Sequence, residues 1–210
     1  MCALRPSLSS RAGVCLLMAD VEALKPSNTG WLIADVVTDT FAFEWARLEV
    51  DPALLTLLSD PQWQPYVVFP AEYAAPMRLV RTVDLEGLAN AQPAKRPLFI
   101  LLDGTWPEAR KMFRKSPYLN AFPVLGLQPV VQPEQASQYK LRRSHCDDHF
   151  CTSEVAAQCF KLASEPQIHN CLQAYLAVFT HHYLQAKNQL PVVEDSAAHL
   201  RLRELSDVSA

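Results

Sequence analysis

The chain has 210 residues, 50% hydrophobic and 20% charged, with a formal net charge of −3. That balance suits a globular protein with one well-buried core, and 16 prolines against 5 glycines exclude a linker-rich or low-complexity chain. The charge excludes a globally basic nucleic-acid binder, so RNA affinity has to come from local patches; no apolar run approaches the ~20 residues of a membrane span, and a cytoplasmic location is expected.

In chain order, the first twenty residues carry Arg5, Arg11 and only a short apolar stretch ending at Asp20, too little for a secretory leader. Apolar runs rich in Val, Ile, Leu and Phe predict strands at 14–18, 40–45, 66–69, 98–102 and 124–127. Helical spacing between and after them predicts helices at 30–37, 52–58, 106–115, 153–163 and 167–189. The alternation indicates an α/β fold with a mainly parallel sheet. In the last helix Ile168, Cys171, Leu172, Tyr175, Leu176, Phe179 and Tyr183 make one buried stripe. Polar 84–97 reads as a surface connection, and the charged stretch from 191 onward as a partly frayed tail. Six cysteines (Cys2, Cys15, Cys146, Cys151, Cys159 and Cys171), with no export signal, read as reduced thiols, with Cys15, Cys159 and Cys171 in the core.

Several segments could carry chemistry. The strand at 98–102 runs into Asp103-Gly104-Thr105-Trp106-Pro107-Glu108-Ala109-Arg110-Lys111, a strand-to-helix turn of the kind that binds ligands at the carboxyl edge of a parallel sheet. Thr105 and Glu108 form a capping box and Pro107 suits a first turn, so these three have a structural explanation. Capping does not explain Asp103 or Trp106; for Asp103 the bland alternative is an Asx-turn residue. The helix that follows turns Ala109, Met112 and Phe113 inward and Arg110, Lys111, Arg114 and Lys115 outward, where they can meet phosphates. Lys140, Arg142 and Arg143 form a second basic patch. Lys25-Pro26-Ser27-Asn28-Thr29-Gly30 before one helix, and Thr152-Ser153-Glu154-Val155 at the start of another, offer hydroxyls and helix-start N–H groups suited to an anion; for the latter, ordinary capping by Thr152 is the bland alternative. The run from His145 to Cys151 has the residue types of a zinc site but no second ligand pair, so no metal is assigned. His181 and His182 read as surface residues.

Four of these segments, the Asp103–Met112 run, Lys25 to Gly30, Val68-Phe69-Pro70-Ala71, and Tyr139-Lys140-Leu141-Arg142 with Thr152-Ser153-Glu154-Val155, together resemble the DTW-domain family of tRNA-uridine aminocarboxypropyltransferases. Their order and spacing are specific where each alone is weak. The resemblance implies a fold related to the SPOUT methyltransferases, with a C-terminal trefoil-type knot forming an S-adenosylmethionine pocket, although true knots are rare. It implies a division into an N-terminal remnant of a cysteine-rich segment at 1–14, a catalytic domain at 15–190 and a tail at 191–210. The implied reaction transfers the 3-amino-3-carboxypropyl group of S-adenosylmethionine to uridine N3 in the tRNA variable loop, with a monomeric protein and tRNA as partner. Asp103 is the expected base; Pro70, Thr105, Trp106, Thr152, Ser153 and Glu154 are expected at the cofactor; and Lys25, Arg110, Lys111, Arg114, Lys115, Lys140 and Arg142 at the RNA. Family members carry an upstream cysteine cluster resembling a zinc knuckle, of which Cys2 matches only the last, so zinc is expected only in a longer form. The alternatives are a methyltransferase using the same pocket and a non-catalytic tRNA-binding module.

Overall fold

A computed structural model describes residues 5–127, 150–191, 193 and 195–207. Cys2, Lys140, Arg142, Arg143 and the stretch from His145 to His149 lie outside the described residues. The chain divides into two compact units, each gathered from separated segments: a sheet unit of Ser10–Lys25 and Asp39–Gln128, and a helical unit of Met1–Ser9, Pro26–Thr38 and Pro129–Ala210.

The sheet unit contains six strands: β1 (Gly13–Met18), β2 (Thr40–Glu44), β3 (Trp63–Val68), β4 (Leu79–Val80), β5 (Arg96–Asp103) and β6 (Val124–Leu125). They lie in the order β2-β1-β5-β3-β6-β4, and every pairing is parallel. All six residues of β1 and most of β5 are buried, as strands covered on both faces require; this is why their sequences are continuous apolar runs instead of alternating ones. On one face Cys15 and Leu17 of β1, Trp63 and Val67 of β3, and Leu98 and Ile100 of β5 pack with Leu54 and Leu58 of α2 (Pro52–Ser59) and Ala109 and Met112 of α4 (Trp106–Lys115). Side chains alternate along a strand, so Asp103 belongs to the opposite face from Leu98 and Ile100. Arg96 fastens the start of β5: its guanidinium pairs with Asp39, donates to the Ser10 carbonyl at 2.7 Å and lies 4.5 Å over the Trp63 ring.

The helical unit holds α1 (Gly30–Val36), α5 (Thr152–Leu162), α6 (Pro166–Lys187) and α7 (Ala197–Asp207). Tyr175 on α6 donates to Asp35 on α1 at 2.9 Å, and the His169 ring meets the Ala157 carbonyl on α5 at 2.8 Å. The expected stripe on α6 is buried through Leu176, while Phe179 and Tyr183 are half-buried and Ala174 and Val178 complete the covered face.

Three expectations are corrected. Segment 84–97 is more than a connection: Asp84 caps α3 (Leu85–Asn90) through the Gly87 N–H at 2.9 Å, Leu88 is buried, and β5 begins at Arg96. The stretch after 191 contains an eleven-residue helix, α7, with His199 and Leu202 fully covered against α6. His181 and His182 are therefore half-buried instead of superficial, and His182 Nε2 lies 2.8 Å from His199 Nε2. No described helix is long and apolar enough to cross a membrane.

Candidate functional site

In the sheet unit the chemistry-bearing residues gather at the carboxyl ends of the strands. β5 sits between β1 and β3, in register so that Asp103 stands opposite Met18, and its carbonyl accepts from the Ala19 N–H at 2.8 Å. The Asp103 side chain is buried. Gly104 keeps the turn close-packed: a Cβ there would lie 3.1 Å from Ala19 Cβ and 3.2 Å from Glu108 Cβ, tighter than ordinary contact. Thr105 then caps α4 through the expected capping box, with the Glu108 carboxylate accepting from the Thr105 N–H at 2.7 Å. Glu108 is thus committed to the turn that carries Asp103.

Trp106 emerges from this turn into an aromatic cluster. Its ring lies nearly parallel to that of Phe69, 5.5 Å away, and Phe69 stacks in turn on Phe113 at 4.3 Å. Pro70 opens the 3-10 turn Ala71–Tyr73, closed by the Tyr73 N–H on the Pro70 carbonyl at 3.1 Å, and this brings Tyr73 edge-on to both Phe69 and Trp106. Pro70 itself shapes the chain. Phe69 is buried, whereas Trp106 and Tyr73 are 37% and 36% exposed. Along the exposed face of α4 the Arg110 guanidinium lies 5.1 Å over the Tyr73 ring and the Lys111 ammonium 5.5 Å over Trp45, with Arg114 and Lys115 exposed beyond them. Lys25 is placed differently from these: its ammonium is 2.5 Å from Glu22, whose side chain is fully covered, so it is held in an internal ion pair.

In the helical unit the start of α5 is a second capping box, and the cap is Cys151 instead of the expected Thr152, which is the first residue of the helix. The reason is spacing: Glu154 lies three residues after Cys151, and its carboxylate accepts from the Cys151 N–H at 2.8 Å. Burial, and next the Glu154 carboxylate, push the Cys151 thiol above its ordinary range, which disfavours the thiolate. The Ser153 N–H points to Thr29 Oγ1 at 3.4 Å, while the buried Ser153 hydroxyl finds no hydrogen-bond partner among the described residues. Asn28 and Thr29 are also buried, and Asn28 Oδ1 accepts from the Trp31 N–H at 3.1 Å; together with the shortness of seven-residue α1, this makes the segment before it an internal scaffold.

The sequence pattern of the DTW domain matches residues 1–184. The chain belongs to the DTW-domain family. No solved structure matches it. The family is consistent with a tRNA-modifying role. The turn of this DTW domain from Asp103 to Trp106 joins a central, largely covered strand of the sheet to a helix carrying four cations. Sequence reasoning named Asp103, Trp106 and the α4 cations but missed Tyr73 and Glu22, and it knew Phe69 only as part of a motif. Among the described residues no group of three or more His, Cys, Asp or Glu is placed to hold a metal ion. The thiols of Cys15 and Cys171, pushed up to about 12 and about 11 by burial, are core groups, as is Cys159.

Proposed function

We propose that this DTW domain transfers the 3-amino-3-carboxypropyl group of S-adenosylmethionine to N3 of a tRNA uridine and releases methylthioadenosine. The observation that carries the reading is Asp103: a buried acidic side chain at the carboxyl end of a central parallel strand, in the turn that leads directly into Trp106 and the cation-bearing helix α4. As base, Asp103 takes the N3 proton; the N3 pair forms a bond to the γ-carbon of the donor, the carbon–sulfur bond breaks, and its electrons neutralise the sulfonium. No acid is needed for the leaving group. Binding geometry decides which of the sulfonium's carbons reaches N3.

On the donor side, the Ser153 hydroxyl, buried with no partner among the described residues, is the contact for the α-carboxylate, with Thr152 beside it at the start of α5 and Glu154 holding the turn. Thr105 positions the turn that carries Asp103 and Trp106, and Trp106 packs against a nucleobase or the donor. Arg110, Lys111, Arg114 and Lys115 supply phosphate contacts, and Lys140 and Arg142 belong to the same proposal. A SPOUT-like knotted fold goes with this reading, and the all-parallel sheet, with β5 between β1 and β3 and β6 between β3 and β4, is compatible with it.

The test is incubation of the protein with S-adenosylmethionine and unmodified tRNA, followed by mass analysis of the nucleosides. A uridine heavier by one aminocarboxypropyl group is expected. A methylated nucleoside would make the protein a methyltransferase, and tRNA binding without any product would make it a binding module.

A further inference from the structure

Exposed large apolar side chains are ordinarily scattered, yet here two aromatic rings, each more than a third exposed, sit side by side on a buried phenylalanine at the carboxyl edge of the sheet. Each is held: Trp106 is parallel to Phe69 within 9°, and Tyr73 meets it at 72°. Rings fixed in this way lose little entropy when something stacks on them. The Arg110 guanidinium over Tyr73 adds a cationic plane, and Arg114, one helical turn on, continues the charge along α4.

Fixed aromatic faces bordered by cations are how proteins grip single-stranded nucleic acid, the rings taking unstacked bases and the cations following the phosphates. Bases inside an A-form duplex are already stacked and out of reach, so such a surface discriminates against duplex RNA. We propose that Tyr73 and Trp106, flanked by Arg110, form a stacking platform for an unpaired base of the RNA, so that the protein selects looped or single-stranded RNA over duplex. The inference rests on the proposed RNA substrate for the nature of the ligand, and it adds Tyr73 as a specificity-determining residue.

The shared chemistry is a planar nucleobase, which the RNA or the adenine of the donor could supply, and the experiment separates the two. Binding of a short oligouridylate, of a blunt duplex RNA of equal length and of methylthioadenosine is measured on the full chain and on Tyr73→Leu and Tyr73→Phe, with a melting curve for each. Tyr73→Leu is expected to weaken oligouridylate binding by about five- to a hundredfold, the range for removing one base stack. Tyr73→Phe should bind as the unaltered chain does, and duplex and methylthioadenosine affinities should not move. Oligouridylate affinity insensitive to Tyr73→Leu, or no oligouridylate binding by the unaltered chain, would overturn the platform. So would equal losses on single strand and duplex, or a loss that falls on methylthioadenosine. The two proposals fail separately: a Tyr73-dependent preference without any nucleoside product removes only the transfer reaction, and product formation with no such preference removes only the platform.

Discussion

Two helix starts in this protein use the same local device in different surroundings. At α4 the cap is Thr105, the folded-back carboxylate is Glu108, and both face solvent in part; at α5 the cap is the half-buried Cys151 and the carboxylate is the buried Glu154. Capping accounts for Thr105, Glu108, Cys151 and Glu154 equally well, so these residues distinguish nothing. The difference lies in what each box leaves over. At α4 the remainder is Asp103 and Trp106, and at α5 it is a hydroxyl on Ser153 that is buried with no described partner. A buried, unsatisfied hydroxyl costs about 1–3 kcal/mol. Function is read from these residues, and each can be tested against its own capping box.

The largest effect is expected at Asp103. Asp103→Asn keeps the size and turn-forming capacity of the side chain, so a structural aspartate would tolerate it. A base would not, and single-turnover transfer to tRNA at saturating donor should fall by about 100- to 10,000-fold with the melting temperature nearly unchanged. Near-normal turnover would return Asp103 to the same structural role as Glu108.

Ser153→Ala sharpens the α5 side. If the hydroxyl receives the donor's carboxylate, calorimetry should show S-adenosylmethionine bound about ten- to a hundredfold more weakly, the value of a hydrogen bond to a charged group. Methylthioadenosine, which lacks that carboxylate, should bind as before. If the hydroxyl is only an orphan, removing it should leave both affinities unchanged and raise the melting temperature.

The smallest effect belongs to the cations of α4. Replacing Arg110 and Arg114 by Ala should weaken tRNA binding and flatten its dependence on salt by about one unit of slope for each phosphate that is no longer neutralised. An unchanged slope in a folded variant would identify that face as ordinary solvated surface.

The two regions also differ in how far the sequence disclosed them. The turn into α4 was legible because each of its signals is local: the apolar run of β5, Thr105 with Glu108, Pro107, and the spacing of Ala109 and Met112. The α5 start was legible as a helix start but off by one at the cap, because a cysteine is a weak capping residue and Thr152 a stronger one. The Ser153 hydroxyl became informative only once its surroundings were known. Tyr73 could not be placed from sequence, since what brings it to Trp106 is the pairing of β3 with β5, a contact between distant parts of the chain. Helix α7 escaped notice because Leu200, Leu202 and Leu205 are interleaved with charged residues over too short a stretch to show a clear helical stripe, and the burial of His181 and His182 depends on it. Strand β4, with two residues, is too short to show any period.

The most direct test of the proposed reaction uses S-adenosylmethionine labelled distinguishably in its methyl group and in its aminocarboxypropyl chain, incubated with the protein and unmodified tRNA. The account predicts that the aminocarboxypropyl label appears in a tRNA uridine while the methyl label leaves with methylthioadenosine. Methyl label in the RNA, or neither label there, would contradict it.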